Sequence, residues 1–285
     1  MPLEPSPLTI QPAAVLFGYP VHATNRAHAL ALVTEALHRG QRCHVVTLNP
    51  EMLMQGDANP PLGAVLRSAN VVIPDGAGVV WALKQRLNIM VSRTPGIEVS
   101  EALIGYAAQQ GFRVGLLGAS PDVMSALLDF LTLKYPALQV CFAHHGYFDS
   151  PEHEDLVTQQ CLATQPQLLL VALGVPKQEL WIAENLPKLR GAVAVGVGGS
   201  FDVWSGQKKR APWAFRALHL EWLYRISSEP WRIQRILGTL PAFVWRVITS
   251  PTPTEGLQES DPSKEAPASL KENNAEDVAQ TLSHP

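Results

Sequence analysis

LLLVALGVPKQELWIAENL, residues 168–186, contains the unit from which the fold is read. An apolar run with no polar alternation ends at Leu173-Gly174, a proline follows at 176, and a helical pattern with Glu179 in its first turn continues to Leu186. Unbroken apolarity suits a strand covered on both faces, as parallel strands are. Proline at a helix start has its φ already set and lacks only an N–H that would have no partner there. The same punctuation recurs along the chain. Strands are expected at 14–17, 43–48, 70–73, 112–117, 139–143, 168–173 and 192–197. Helices are expected at 25–39, 61–69, 78–87, 99–110, 121–135, 152–164 and 176–186. This alternation predicts an α/β protein with a Rossmann-like, mostly parallel sheet and flanking helices.

In such sheets ligands sit beyond the carboxyl ends of the strands, so the informative residues belong in the turns after each run. Those turns read TLNPE (47–51), PDGAG (74–78), LGASP (117–121), LGVPKQE (173–179) and GVGGSFD (196–202). Asp75 would project from a strand end into the crevice, although Asp-Gly is also a common turn element. Thr47 and Asn49 end the neighbouring run and would share its rim, or either would cap a helix after Pro50. The glycine-rich turns at 115–120 and 196–200, with Gly118, Gly198, Gly199 and Ser200, would let backbone N–H groups approach a diphosphate. Tight strand-to-helix turns explain the same glycines. Gln178 and Glu179 lie at a helix start, and Arg93 would pair with a phosphate or form a surface ion pair.

With 285 residues and 46% hydrophobic content the chain has the means to build a core. Cys43, Cys141 and Cys161 form no CxxC pair and read as buried thiols in a reducing compartment. No carboxylate, His or Cys spacing reads as a metal site, and the EHED cluster at 152–155 is not a DxD motif. The N-terminus lacks the basic-then-apolar pattern of a secretory signal. The longest apolar run, 168–175, is far short of the ~20 residues that span a bilayer. A cytoplasmic protein, soluble or peripheral to a membrane, is expected, with no nucleic-acid partner.

Beyond residue 203 the character changes. Trp204, Trp213, Trp222, Trp231 and Trp245 are five of the seven tryptophans, and between Lys208 and Arg246 eight basic residues face only Glu221 and Glu229. Arg225, Arg232 and Arg235 fall within three helical turns, as a solvated basic face or one suited to an anionic membrane surface. Pro241 is expected to kink or divide the helix that carries them. The stretch 251–285 has seven acidic and two basic residues and no Phe, Trp or Tyr, so it reads as a disordered acidic tail. Three segments follow: a core at 1–203, a basic, tryptophan-rich helical appendage at 204–250, and the tail at 251–285.

Together TLNPE, PDGAGVVWALK, LGVPKQELWIAE, GVGGSFDVWSGQKKRAPWAF and LEWLYRISSEPWR resemble, in order, the motifs of the WecG/TagA/CpsF family of bacterial glycosyltransferases. The resemblance runs from about Val15 to about Val247. It implies an inverting transferase that moves a sugar of the N-acetylmannosamine type, or a related hexose, from a UDP-sugar to a polyprenyl-diphosphate-linked acceptor. This would occur at the inner membrane face, in cell-surface polysaccharide synthesis. By motif, Asp75 would be the general base with Thr47 and Asn49 beside it. Arg93, Gln178 and Asp202 would line the nucleotide-sugar pocket, and Arg225, Arg232 and Arg235 would belong to an appendage closing over it. With no DxD-held metal, the resemblance implies a metal-independent reaction without a cofactor. Glu98 departs from the aspartate usual in the family, and the tail extends past the family's usual end.

Two other readings share the sheet architecture. A nicotinamide-dependent oxidoreductase would carry GxGxxG after its first strand, where this chain has FGYPVHA (17–23). A non-catalytic, membrane-docked nucleotide-binding protein would need only the basic helices. Apolar residues of the C-terminal helices would pack on the core, on lipid or on a second subunit.

Overall fold

The computed structural model describes residues 10–213, 215, 224 and 232–251, with the backbone alone for 232–237. A hairpin of β1 (Ala14–Leu16) and β2 (Tyr19–Val21) leads through α1 (Arg26–His38) to β3 (Cys43–Leu48). Helices α2 (Pro50–Ala58) and α3 (Pro60–Ser68) precede β4 (Val71–Pro74), and α4 (Ala77–Leu87) and α5 (Gly96–Gln110) precede β5 (Arg113–Gly118). Strand and helix then alternate through α6 (Pro121–Lys134), β6 (Gln139–His144), α7 (Pro151–Thr164), β7 (Leu168–Ala172), α8 (Lys177–Asn185), β8 (Val193–Gly196) and the short α9 (Ser200–Trp204). The last described helix is α10 (Arg232–Thr249).

Six strands form one sheet in the order β4-β3-β8-β7-β5-β6, every pairing parallel. The apolar run read first is its inner strand β7, buried at every residue. Each such Leu or Val contributes about 1.5–3 kcal/mol by leaving water. β4 and β8 are equally buried, whereas β6 at the edge is only half covered. From β5 the chain departs toward β6, and from β7 it departs the other way, toward β8. Their carboxyl-end loops therefore diverge and open a crevice along that edge of the sheet.

Helix starts follow a local rule. Asn49, Asn59, Ser120 and Ser150 each precede a proline, and each side chain accepts a hydrogen bond from a backbone N–H in the first turn that follows. That satisfies a donor the helix itself leaves over.

Two expectations need correction. The run at 14–17 does not join the parallel sheet but turns back through Phe17 and Gly18, with φ of 52° and 83°, into antiparallel β2. Positive φ at both central residues gives the turn whose twist matches a two-residue hairpin. The chain then closes the edge of β4: His22 N–H donates to Val72 O at 2.9 Å and His22 Nδ1 accepts from Val72 N–H at 3.0 Å. An edge strand's open backbone groups are covered in this way. Of the two outcomes expected at Pro241, a kink or a division, division does not occur, since α10 is one helix from Arg232 to Thr249 with the proline inside it. Phe243 and Val247 beyond the proline are buried in the same core as Leu48, Met52 and Val79, which fixes the second half of the helix whatever hydrogen bond the proline gives up. Of the disordered tail expected at 251–285, residues 252–285 lie outside the described residues.

Candidate active site

The site begins with the register of two strands. Thr47 lies opposite Ile73 and Leu48 opposite Pro74, and Asp75 N–H donates to Leu48 O at 2.9 Å. The carboxylate after β4 and the hydroxyl at the end of β3 are thereby held on one rim. Thr94 N–H donates to Pro74 O at 3.0 Å, which ties the segment carrying Arg93 to the same strand end. The glycines of PDGAG have a packing role. A Cβ on Gly78 would lie 2.5 Å from Pro50 Cγ and one on Gly76 3.2 Å from Pro50 Cδ, so bare glycine lets α4 start directly against α2.

These residues open onto a cavity of about 910 Å³ along the carboxyl edge of the sheet, at the upper end of the size usual for small-molecule sites. Each of the six strands contributes to its wall through the turn that follows it: Asp75 after β4, Asn49 after β3, Val197 after β8, Leu173 after β7, Ala119 after β5 and Tyr147 after β6. Thr47, Arg93, Gln178, Gly198, Gly199, Ser200 and Asp202 also line it. α10 closes one side with Thr239 and Leu240, near Trp81 of α4.

Individual positions refine the sequence reading. Asn49 serves as a helix cap as well as a wall residue, its Oδ1 accepting from Met52 N–H at 2.9 Å. Gly118 is not in the wall. Its φ is 122°, and a Cβ there would sit 2.5 Å from the Ala172 carbonyl, so this glycine serves the contact between β5 and β7 while Ala119 reaches the cavity. Ser200 turns its hydroxyl inward, donating to Val197 O at 2.7 Å. Gln178 is buried, with Oε1 accepting from both Gly174 N–H and Gly198 N–H at 3.2 Å. Arg225 lies outside the described residues, as do the side chains of Arg232 and Arg235.

Lys208 was legible in the sequence only as part of a basic stretch. In the structure it lines the cavity with Nζ 3.2 Å from Asp202 Oδ1. Glu51 and Gln55, joined by a 3.0 Å hydrogen bond, form another polar stretch of wall. Glu98 in the first turn of α5 pairs with Arg210, which anchors the segment after α9 to the rim. Among the described residues no three His, Cys, Asp or Glu side chains converge as a metal centre would require.

Residues 14–255 match the glycosyl transferase WecG/TagA/CpsF family. The chain belongs to that family. The match takes in every element from β1 to α10, and a nicotinamide oxidoreductase is set aside with it. The N-acetylglucosaminyldiphosphoundecaprenol N-acetyl-beta-D-mannosaminyltransferase of Bacillus spizizenii is 36% identical over 217 residues, which cover 76% of this chain and 83% of the relative. The Bacillus subtilis protein of the same name is 36% identical over 205 residues, 72% of this chain and 78% of the relative. One from Staphylococcus aureus is 35% identical over 204 residues, 71% and 78% respectively. This WecG/TagA/CpsF glycosyltransferase therefore gathers Asp75, Thr47, Arg93 and Asp202 at the mouth of its parallel sheet. Among its described residues no helix is long and apolar enough to cross a membrane.

Proposed function

We propose that this enzyme transfers an N-acetylmannosamine-type sugar from its UDP derivative, with inversion, to an N-acetylglucosamine carried on a polyprenyl diphosphate. The relatives' names supply the sugar and the acceptor. The observation that carries the chemistry is the placement of Asp75 and Thr47 on the wall of one cavity with Arg93.

An acceptor hydroxyl becomes a nucleophile as it loses its proton, and in this proposal Asp75 accepts that proton. The new bond forms between that oxygen and the anomeric carbon as the bond from that carbon to the donor's phosphate oxygen breaks. Both electrons of the broken bond leave with UDP. Thr47 orients the attacking hydroxyl from the neighbouring strand end. Negative charge growing on the diphosphate is met by Arg93 and Lys208, with backbone N–H groups of the glycine turns beside them. In this reading no metal takes part.

The acceptor's lipid would lie at the cytoplasmic face of the membrane, with the enzyme docked peripherally. Supporting that docking are Trp213, Trp245 and Ile248, exposed at 76%, 70% and 66%, within a stretch rich in Lys and Arg.

The test is transfer from a panel of UDP-sugars to a polyprenyl-diphosphate N-acetylglucosamine, with and without chelator, comparing the parent enzyme with Asp75→Asn. Asp75→Asn should bind UDP normally and lose about 10²–10⁴-fold in turnover. Full turnover in that variant would refute Asp75 as the base, and chelator-sensitive transfer would refute the metal-free reaction.

A further inference from the structure

Gln178 sits between two cavity turns and a buried acid. Its Oε1 faces two backbone N–H groups, Gly174 after β7 and Gly198 after β8, and backbone amides only donate. The amide is thereby fixed the other way round at its far end: Nε2 donates to Glu179 Oε1 at 3.0 Å. Glu179 Oε2 in turn lies 2.7 Å from His44 Nε2 of β3. Glu179 is 0% exposed, Gln178 2% and His44 5%. The row lies flat on Gly196 of β8, where a Cβ would meet Glu179 Oε1 at 2.3 Å and Gln178 Nε2 at 2.4 Å.

A buried acid and histidine are a poor way to gain stability, since a well-packed apolar pair in their place is often neutral or better. What they provide here is direction. Were the Gln178 amide reversed, its Nε2 would point at two N–H donors and both cavity turns would lose their shared acceptor. Glu179, needing a donor at Oε1, prevents that reversal, and His44 holds Glu179.

We infer that Glu179 and His44 are positioning residues for donor binding: through Gln178 they fix the Gly174 and Gly198 turns in the form that receives the diphosphate of the nucleotide sugar. This rests on the proposed use of a UDP-sugar donor. Neither side chain lines the cavity, so both act only through Gln178.

The experiment compares the parent enzyme with the double variant His44→Leu/Glu179→Leu and with Glu179→Gln. It reads UDP affinity by calorimetry, KM for UDP-sugar and for acceptor, and the urea midpoint. The double variant should stay folded, with UDP affinity and donor KM worse by about tenfold or more and acceptor KM little changed. Glu179→Gln should recover most of the affinity, because a glutamine oxygen still accepts from Gln178 Nε2. UDP affinity within about twofold of the parent in a folded double variant overturns the inference, as does a parallel rise in acceptor KM. Should the double variant not fold, His44→Leu and His44→Gln give the same reading. His44→Gln can still donate to Glu179 and should bind UDP several-fold more tightly; equal affinities overturn the inference. Failure of the parent enzyme itself to bind UDP overturns the donor assignment and this inference with it.

Discussion

Gly96 is pressed onto Thr47: a Cβ on Gly96 would lie 2.6 Å from Thr47 Cγ2 and 2.9 Å from its Cβ. Thr47 is β-branched and stiff at χ1, so it cannot swing aside as a longer, flexible chain would. Its hydroxyl is therefore aimed by the first turn of α5 as much as by its own strand. Gly96→Ala must move α5 or Thr47, and overpacking of this kind costs about 1–3 kcal/mol. Turnover should fall by more than UDP affinity, because the disturbed hydroxyl is on the acceptor's side of the chemistry. Urea denaturation together with steady-state kinetics checks both parts, and a variant with parent turnover would show that Thr47 needs no such support.

α10 contributes two cavity residues and is secured about two turns further along. Arg246 pairs with Asp57 of α2, whose other oxygen accepts from Tyr19 Oη at 2.9 Å, and the guanidinium lies 4.3 Å from the centre of the Phe17 ring. Burial, and then the Asp57 carboxylate, raise the Tyr19 phenol above its usual pKa, so it keeps its proton further into the alkaline range than a free phenol would. Arg246→Ala removes a partly buried ion pair and a cation–π contact, together about 1–2 kcal/mol. Because Thr239 and Leu240 are on the same helix, KM should rise several-fold while the rest of the fold remains intact. Salt should weaken the parent toward the variant; a variant whose KM matches the parent's at all salt concentrations would show that the far end of α10 does not set the cavity wall.

His22 gives the fold a pH dependence with a definite sign. Burial lowers its pKa below 6.5, and its Nδ1 is already committed as acceptor from Val72 N–H. Above the ordinary histidine value both folded and unfolded chains are neutral at this residue, and no slope arises. As the pH falls below it, the unfolded chain takes up a proton that the folded chain resists, so stability is lost until the folded pKa is passed. His144, also lowered chiefly by burial, acts in the same direction. The urea midpoint should be flat near about pH 7.5 and decline toward about pH 5.5. His22→Asn places an acceptor oxygen where Nδ1 was and cannot titrate, so it should flatten part of that decline. An unchanged slope would assign the whole effect to other groups.

Much of this architecture was readable because parallel strands bury both faces and so appear as unbroken apolar runs, with a proline or a capping Asn or Ser marking most helix starts, α4 and α9 opening after glycine instead. The hairpin was not readable: strands of three residues show no period, and Pro20 within β2 argues locally against a strand. The rim was legible insofar as Thr47, Asn49 and Asp75 end adjacent runs. What sequence could not settle was the side toward which a bare glycine faces. Gly118 and Gly198 stand in similar turns, yet one meets the backbone of β7 and the other the cavity. Nor does any local pattern join Asp57 to Arg246, or His44 to Glu179 across 135 positions. Those pairings depend on the strand order and on how α2, α8 and α10 pack.

Gly196 and Gly238 should respond to alanine in opposite ways. At Gly196 the added methyl meets Glu179 Oε1 and Gln178 Nε2, both under 2.5 Å and both on buried side chains already joined to each other, so neither can move without leaving a polar atom unpaired. Overpacking and a broken buried hydrogen bond together cost about 3 kcal/mol. At Gly238, in the exposed part of α10, a Cβ meets nothing within 4 Å. Alanine there restricts the unfolded chain and should stabilise by about 0.5–1 kcal/mol. Chemical denaturation of the two variants beside the parent tests the pair, with the midpoint moving down for Gly196→Ala and up for Gly238→Ala. A Gly196→Ala protein as stable as the parent would mean that Gln178 and Glu179 can separate at little cost, and a hydrogen bond so easily lost could not hold the two cavity turns in place.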